Sequence, residues 1–433
     1  LTWLRQHSST LSLPALIVCP NSVKFSWRNE VEEWLPGVTP FVIGGGAATR
    51  KKLLLDVSRR ERAVVIINFE SLRGHTRLAG YGSERLKRCG DCDPNPDVDD
   101  AKKCEVHAKE LNKIPFRTVI VDEAHRIKDP HAKQTRASWA VGHQTSVIQR
   151  FALTGTPGDP EELWSILHFL QPDEFPTKSK FIDRYCIQAW NAYGGLDVKG
   201  IHPQFRDEFY AVLDPRFRRM PKELVLPQLP PRIRSQRIVE LTPKQRKSYN
   251  EIAEGLVTRL PDGNIMVAKN DLEAQIRLIQ FSSATMEQTL DGFKMCDPSS
   301  KLDALVDIHD ELNTRQYVVA AEHRQLIELA ARRYDKLKIT YGLITGKQLP
   351  VEREVALRDF QAGKLQALLF THKAGGTGLT MTAADTLVCL QRSWSVFENH
   401  QTEGRVHRIG SERHESIQLI DVVARDTLEE KQV

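Results

Sequence analysis

The sequence predicts an α/β protein with two parallel-sheet halves, joined by a hinge and carrying helical protrusions. Short, continuous apolar runs recur in both halves and alternate with segments whose apolar residues fall at helical spacing. Such strands, separated by helices, are typical of parallel sheets covered on both faces. A proline-rich segment, LPQLPPR at residues 226–232, divides the two halves. We expect the first domain at residues 1–224, the hinge at 225–232 and the second domain at 233–433.

The first half opens on the run ALIVCP at residues 15–20, which we interpret as a buried strand. Trp27, Val31 and Trp34 follow at helical spacing, and Pro36 ends that helix. Three more runs predict strands: AVVIIN at 63–68, TVIVDE at 118–123 and RFALTGTP at 150–157.

The second half begins with long charged helical patterns, which predict a helical protrusion at about residues 236–312. Strands and helices alternate again from residue 317 onwards. The strand-like segments there are YVVAAEH, ITYGLITG, ALLFTHKAGGTG, TLVCLQ and SIQLIDVV.

Composition excludes several classes of protein. Hydrophobic residues make up 40% and charged residues 27% of the 433 residues, as in ordinary globular proteins. No apolar stretch approaches the roughly 20 residues that span a bilayer, so we expect no membrane partner. The net charge of +5 permits a nucleic-acid partner without arguing for one.

The 7 cysteines do not suggest a disulfide framework. Three of them crowd one short segment and the others are scattered singly through apolar surroundings, which indicates a reducing compartment with one special site. The chain opens on Leu1 rather than Met, so we expect it to be a fragment.

An acid pair, Asp122 and Glu123, ends the predicted strand TVIVDE. Ligands of open α/β folds bind at the carboxyl ends of the strands. An Asp there can hold Mg²⁺, and the neighbouring Glu can orient a water that attacks a γ-phosphate. Acid pairs are also common on ordinary surfaces, and this dipeptide alone leaves both interpretations open.

Three more motifs offer phosphate chemistry. The turn LTGTP places Thr154 and Thr156 at the end of another predicted strand. The segment THKAGGTGLT contains Gly376 and Gly378, which would let the backbone approach a phosphate. Each could instead be a plain turn or loop.

The third motif is QTEGRVHRIGS at residues 401–411. Arg405 and Arg408 are three residues apart and would share a helix face, where two guanidiniums suit a polyphosphate. The alternative is a solvated helix face.

The segment RCGDCDPNPDVDDAKKCEVHAK has the spacing C-x2-C, eleven residues, C-x2-H. Two chelating pairs of this kind predict a closed, structural Zn²⁺ site in an insertion at residues 82–111. The alternative is a disordered acidic loop with coincidental cysteines. The ligands would be Cys89, Cys92, Cys104 and His107.

The order DEAH, LTGTP, hinge, KAGGTGL and QxxGRxxR resembles the Swi/Snf branch of the superfamily-two helicase-like motors. CPNSVKFSWRNEVEEW and FRRMPKELVLPQLPPR are similar to segments of that branch. The resemblance covers nearly the whole chain, except residues 80–112. Three positions depart from the pattern: Gly404 stands where the family often has an acid, Ser411 where Gln is usual and Asp129 where Asn is frequent.

The resemblance implies two RecA-like lobes that use ATP with Mg²⁺ to move along double-stranded DNA. It implies that Asp122 holds Mg²⁺, that Glu123 positions the water, and that Arg405 and Arg408 act from the second lobe. The implied nucleotide and coupling residues are Thr154, Thr156, Gly376, Gly378 and Gln401. The implied DNA contacts are Ser22, Lys24, Thr371, Lys373 and Trp394, although single Lys and Trp residues are commonly just surface or core.

No G-x-x-x-x-G-K-[ST] phosphate loop occurs in the chain, and GGGAATRKK at residues 44–52 has the wrong spacing. The resemblance implies that this loop lies upstream of Leu1. We therefore expect the isolated chain neither to bind ATP tightly nor to hydrolyse it.

Two alternatives remain: an RNA-directed helicase of the same superfamily, and a DNA-binding scaffold that does not hydrolyse ATP. The segment FRRMPKELVLPQLPPR argues against the first, and the retained Glu123, Arg405 and Arg408 argue against the second. We expect a monomer. The lack of accessory modules favours a bacterial or phage protein of the cytoplasm, with a nuclear protein as the alternative.

Overall fold

The computed structural model of the chain describes residues 1–7, 12–97, 103–155, 158–191, 194–290, 292–375 and 379–431. The chain divides into two compact units, Leu1–Arg219 and Met220–Val433. Both are mixed α/β structures built around a parallel sheet, as the sequence predicts. No helix in the described part of the chain is long and apolar enough to cross a membrane.

The first unit is built on a parallel sheet of five strands in the order β2-β3-β1-β4-β5. The three central strands are apolar because helices cover both faces of the sheet, and β1 and β3 are buried at every position. The sheet strands are β1 (Ala15–Cys19), β2 (Thr39–Val42), β3 (Ala63–Asn68), β4 (Thr118–Asp122) and β5 (Gln149–Leu153).

Eight α-helices and one hairpin, together with short 3-10 helices, surround this sheet in the described part of the first unit. The helices are α1 (Thr2–Gln6), α2 (Lys24–Trp34), α3 (Ala47–Val57), α4 (Phe69–His75), α5 (Lys133–Gly142), α6 (Pro160–Leu170), α7 (Lys178–Tyr185) and α8 (Arg206–Leu213). The hairpin strands are β6 (Cys186–Trp190) and β7 (Leu196–Ile201).

The second unit has a parallel sheet of six strands in the order β14-β15-β13-β16-β17-β8. These strands are β8 (Arg232–Val239), β13 (Tyr317–Ala321), β14 (Tyr341–Ile344), β15 (Ala367–Thr371), β16 (Thr386–Cys389) and β17 (Ile417–Ala424). The helices are α9 (Lys222–Val225), α10 (Pro243–Gly255), α11 (Asp271–Ser283), α12 (Ser300–Leu312), α13 (Arg324–Leu337), α14 (Pro350–Gln361), α15 (His372–Gly375) and α16 (Val396–Val406).

Helix starts in the second unit follow the local sequence. Asn270 and Ser299 cap α11 and α12 by accepting hydrogen bonds from backbone amides in the first turn, and Ser395 does the same for α16. Each cap satisfies an amide that has no partner inside the helix. Local capping therefore fixes where α16, which carries Arg405, begins.

We had expected residues 236–312 to be helical, but the structure shows them to be only partly so. Helices α10, α11 and α12 alternate with two antiparallel hairpins, and the region opens inside the edge strand β8. The hairpins pair β9 (Val257–Arg259) with β10 (Ile265–Val267), and β11 (Thr285–Thr289) with β12 (Gly292–Cys296). Gly263 takes a φ of 86° in the first turn, and the dipeptide Asp262-Gly263 is a known signal for such turns.

Candidate functional site

The carboxyl edge of the first sheet brings the acid pair and the LTGTP turn together. Strand β4 ends at Asp122, which pairs with Leu153 at the end of β5. Thr154 therefore follows directly beside the acid pair, which is the adjacency that its predicted role requires. Thr156 lies outside the described residues.

Asp122 is held by two donors. Trp27 Nε1 donates to Oδ2 over 2.8 Å, and the Glu123 amide donates to Oδ1 over 3.0 Å. Burial raises the pKa of Asp122; the Trp27 hydrogen bond opposes this rise and the charge of Glu123 adds to it. A cation beside this carboxylate would offset the cost of burying its charge. The sequence predicts only that Trp27 lies on a helix, and does not predict its contact with Asp122.

Glu123 connects the acid pair to Thr154. Its backbone is left-handed, with a φ of 54°, a conformation that costs a non-glycine residue about 1 kcal/mol or more. Its Oε2 lies 3.3 Å from His125 Nδ1, which lies 3.5 Å from Thr154 Oγ1. A carboxylate, an imidazole and a hydroxyl thus follow one another across the ends of β4 and β5.

A cleft of about 340 Å³ lies at the same edge of the first sheet. Lys24 is buried beside it, and its Nζ donates to Ile43 O over 3.1 Å and to Asn68 Oδ1 over 3.4 Å. Burial lowers the pKa of Lys24. Arg50 also lines the cleft, whereas the predicted Ser22 is exposed two residues before Lys24. The other lining residues are Asn21, Gly44, Gly45, Asn68, Glu70 and Ser71.

The predicted arginine pair of the second unit does not share a helix face. Arg405 and Gln401 lie on α16, which ends at Val406, so Arg408 lies in the bend that follows. His407 turns the chain there, and its Nε2 lies 2.9 Å from Pro230 O. Arg408 reaches Leu379 O at 3.5 Å, and burial lowers its pKa.

A cluster of charges, buried except for Arg234, holds α16 in place. We call it the α16 ion cluster; its members are Arg234, Arg392, Glu403 and Asp421. Arg392 forms a two-bond contact with Asp421 at 2.8 and 2.9 Å. Arg234 joins Glu403 at 2.7 Å and Asp421 at 3.2 Å. Glu403 precedes Arg405 by two residues, so this cluster fixes the backbone that carries the arginine. Sequence reasoning missed it.

The remaining predicted positions of the second unit differ in their exposure. Thr371 is buried at the end of β15, and Lys373 is exposed and bonds to Glu322 at 3.0 Å. Trp394 is 62% exposed, which makes it available for contact rather than part of the core. Gly376 and Gly378 lie outside the described residues.

Comparison with protein families identifies the chain. A family model described as the SNF2-related domain matches residues 1–297, and the helicase conserved C-terminal domain matches residues 300–410. The chain belongs to the Swi/Snf-type family of helicase-like ATPases.

Curated relatives of this Swi/Snf-type chain come from bacteria and eukaryotes. An uncharacterized ATP-dependent helicase of Mycoplasma genitalium is 24% identical over 99% of this chain and 37% of its own length. Chromodomain-helicase-DNA-binding protein 7 of Homo sapiens is 25% identical over 96% of this chain and 14% of its own length. The DNA annealing helicase and endonuclease ZRANB3 of Bos taurus is 26% identical over 96% of this chain and 35% of its own length. The chain therefore spans little more than a third of these relatives, or less.

Among solved structures, a Sulfolobus solfataricus SWI2/SNF2 ATPase core in complex with dsDNA is 20% identical. It covers 99% of this chain and 80% of its own chain, with a TM-score of 0.38. The SWI2/SNF2 ATPase core domain of the same organism has the same TM-score at 19% identity, and it covers 99% of this chain and 78% of its own.

Within the SNF2-related part, the predicted metal ligands converge. Their ligand atoms all lie within 4.8 Å of one another. Cys92 Sγ lies 3.5 Å from Cys104 Sγ and 3.2 Å from a ring nitrogen of His107. Ligand atoms around a tetrahedral Zn²⁺ are separated by about 3.3 to 3.8 Å. The converging residues are Cys89, Cys92, Cys104 and His107.

Proposed function

We propose that this chain is the motor part of an ATP-dependent enzyme that moves along or remodels double-stranded DNA. One observation carries the proposal: Asp122, Glu123 and Thr154 meet at the carboxyl edge of a parallel sheet in a chain of the Swi/Snf-type family. The α/β fold places ligands at this edge.

Asp122 would hold Mg²⁺ and Glu123 would orient the attacking water. The Mg²⁺ bound to ATP supplies charge neutralisation at the phosphates. Asp122 fits this role because Trp27 and the Glu123 amide fix its two oxygens and leave each with lone-pair capacity. The bond between Glu123 and His125 would hold the carboxylate in place while the water loses its proton.

Arg405 and Arg408 would stabilise charge on the transferred phosphoryl group. Gln401 lies on α16 one turn before Arg405 and would take part in coupling. We also assign coupling roles to the threonines and glycines of the two loops: Thr154, Thr156, Gly376 and Gly378.

The cleft beside Lys24 is a suitable site for a DNA phosphate. It combines a buried ammonium and a guanidinium with the N-terminal end of α3, a helix of 11 residues. The names of the human and bovine relatives refer to DNA. We propose further backbone contacts from Ser22, Thr371, Lys373 and Trp394.

The cluster of three cysteines and one histidine would hold a structural Zn²⁺. The residues fit this ion because soft thiolates with one imidazole suit zinc, and four protein ligands leave no open position. The residues around the ligands are mostly polar, so metal binding would supply much of the free energy that orders this segment.

The test measures ATP hydrolysis by the full-length protein alone, with duplex DNA and with duplex RNA. We expect stimulation by DNA only and a loss of at least about a hundredfold in Glu123→Gln. Glu208→Gln, in an exposed ion pair with Arg184, is the matched control. Stimulation by RNA would support the RNA-directed alternative, and DNA binding without hydrolysis would support the scaffold. We also propose that residues 1–433 alone do not hydrolyse ATP, because they contain no G-x-x-x-x-G-K-[ST] loop.

A further inference from the structure

We propose that the Cys/His insertion braces the acid pair: metal binding fixes Glu105, and Glu105 holds helix α5 against the loop that follows Glu123. The insertion lies within residues 80–112, which do not take part in the sequence resemblance to the family. The proposal rests on the proposed ATPase function only for its ATP-turnover readout; its zinc-content and hydrogen-exchange readouts are independent of that function.

The first step joins the metal ligands to Glu105. Glu105 is 9% exposed and lies next to Cys104, two residues before His107. Its amide donates to Lys87 O over 2.9 Å, and its Oε2 accepts from the Lys87 amide over 3.0 Å. Lys87 lies two residues before Cys89. Glu105 therefore clamps together the two chain segments that carry the ligand pairs.

The second step joins Glu105 to α5. Lys133, the first residue of α5, donates from Nζ to Glu105 Oε1 over 2.6 Å. An ion pair of this kind, with Lys133 half-exposed, stabilises little when its carboxylate is mobile. The pair can direct α5 only if Glu105 is already fixed, and the metal would supply that order.

A second set of contacts joins the same helix to Ala79, just before the insertion, and to Glu84 within it. Arg136 of α5 is 2% exposed; its Nε donates to Ala79 O over 2.7 Å and its carbonyl accepts from the Ala79 amide over 3.0 Å. Its other bond goes to Glu84, which also contacts His131 at 2.8 Å. The insertion thus contacts α5 at both Lys133, through Glu105, and Arg136, through Glu84.

The last step joins α5 to the acid pair. Gln134 donates from Nε2 to Arg126 O over 2.6 Å. Arg126 belongs to the 3-10 helix Ala124–Ile127, which begins directly after Glu123, and its amide donates to Glu123 O over 2.9 Å. A continuous path of hydrogen bonds and backbone links therefore leads from the metal ligands to the residue that would orient the water.

The experiment measures zinc content, backbone hydrogen exchange and ATP turnover on the full-length protein. Cys89→Ser/Cys92→Ser removes two ligands, and Glu105→Gln keeps all four ligands but weakens the contact with Lys133. We expect the double variant to lose zinc and to exchange faster at residues 118–142. We expect kcat to fall roughly tenfold in the double variant and roughly threefold in Glu105→Gln, with duplex-DNA affinity unchanged.

Residues 386–389 of the second unit are the internal control for exchange, and Glu208→Gln is the control for a lost surface ion pair. If Glu105→Gln keeps its zinc and exchanges like the wild type at residues 133–142, the brace does not exist, whether or not the double variant folds. If the wild type shows no ATP turnover, the proposed function fails, and the exchange comparison still decides the brace.

Discussion

Trp27 on α2 donates a hydrogen bond to Asp122 at the end of β4, over 2.8 Å and across 95 positions of sequence. The bond favours the ionised carboxylate, whereas burial favours the protonated one. The balance between them sets the pH at which Asp122 can hold a cation.

Replacing Trp27 by Phe should move this balance. The loss of the donor raises the pKa of Asp122 further, so the acid limb of kcat/KM for ATP should shift upward by about one pH unit. The pH profile of the full-length enzyme checks this. Trp34→Phe, on the same helix and 44% exposed, should leave the limb in place. An unchanged limb in Trp27→Phe would show that the indole only packs.

Replacing Lys24 by Met should weaken DNA binding in a salt-dependent way. If Lys24 contacts one phosphate, the slope of log affinity against log salt should decrease by about 0.9. Fluorescence anisotropy with a duplex at several salt concentrations measures the slope. Arg28→Met, on the same helix, is the matched control because Arg28 lies outside the cleft. Equal slopes in the two variants would remove Lys24 from the DNA site.

Replacing Glu403 by Gln should destabilise the second unit. The change leaves Arg392 with a weakened partner in a buried place, and breaking one side of such a pair costs about 3 kcal/mol. The unfolding transition of the second unit in urea gives the value. Glu311→Gln removes an exposed pair with Arg237 and should cost little. A similar small loss in both variants would mean that the α16 ion cluster does not hold the helix.

Asp421 should make the stability of the second unit depend on pH. Burial raises its pKa to about 6, against the opposing charges of Arg234 and Lys301 and with the help of Glu403. Arg392 also faces it. Between about pH 4 and 6, the folded state then holds a proton that the unfolded state has released. The contribution of Asp421 to the free energy of unfolding is therefore greatest below about pH 4 and is lost as the pH rises through 6.

Comparison of the wild type with Asp421→Asn between pH 4 and 7 isolates this contribution. We expect the wild type to lose about 2 kcal/mol relative to the variant across that window. Parallel pH curves for the two proteins would place the pKa of Asp421 near its ordinary value.

The buried strands could be predicted from the sequence because their apolar runs are continuous. Strand β8 could not, because its sequence RIRSQRIV alternates charges with apolar residues and it lies exposed at the sheet edge. The β9–β10 hairpin was predictable in principle, since Asp262-Gly263 signals its turn. The long charged pattern around it favoured helix instead.

The meeting of Asp122 with Thr154 followed from topology, because parallel strands bring their carboxyl ends to one edge. The Trp27 contact and the α16 ion cluster did not, since they join residues far apart in sequence through side-chain directions that no spacing encodes. The placement of Arg408 failed for a local reason: α16 ends two residues earlier, where His407 contacts Pro230. The convergence of the four residues predicted to bind zinc was the opposite case, because chelate spacing is itself local.

Strands β8 and β17 run parallel and pair along all eight residues, from Arg232 beside Ile417 to Val239 beside Ala424. A pull on the chain at residue 232, resisted at residue 424, would act at opposite ends of this pair. Its hydrogen bonds would then be loaded together in shear rather than opened one after another. The edge of the second sheet, where the proline-rich segment enters, is therefore built to carry mechanical tension without peeling.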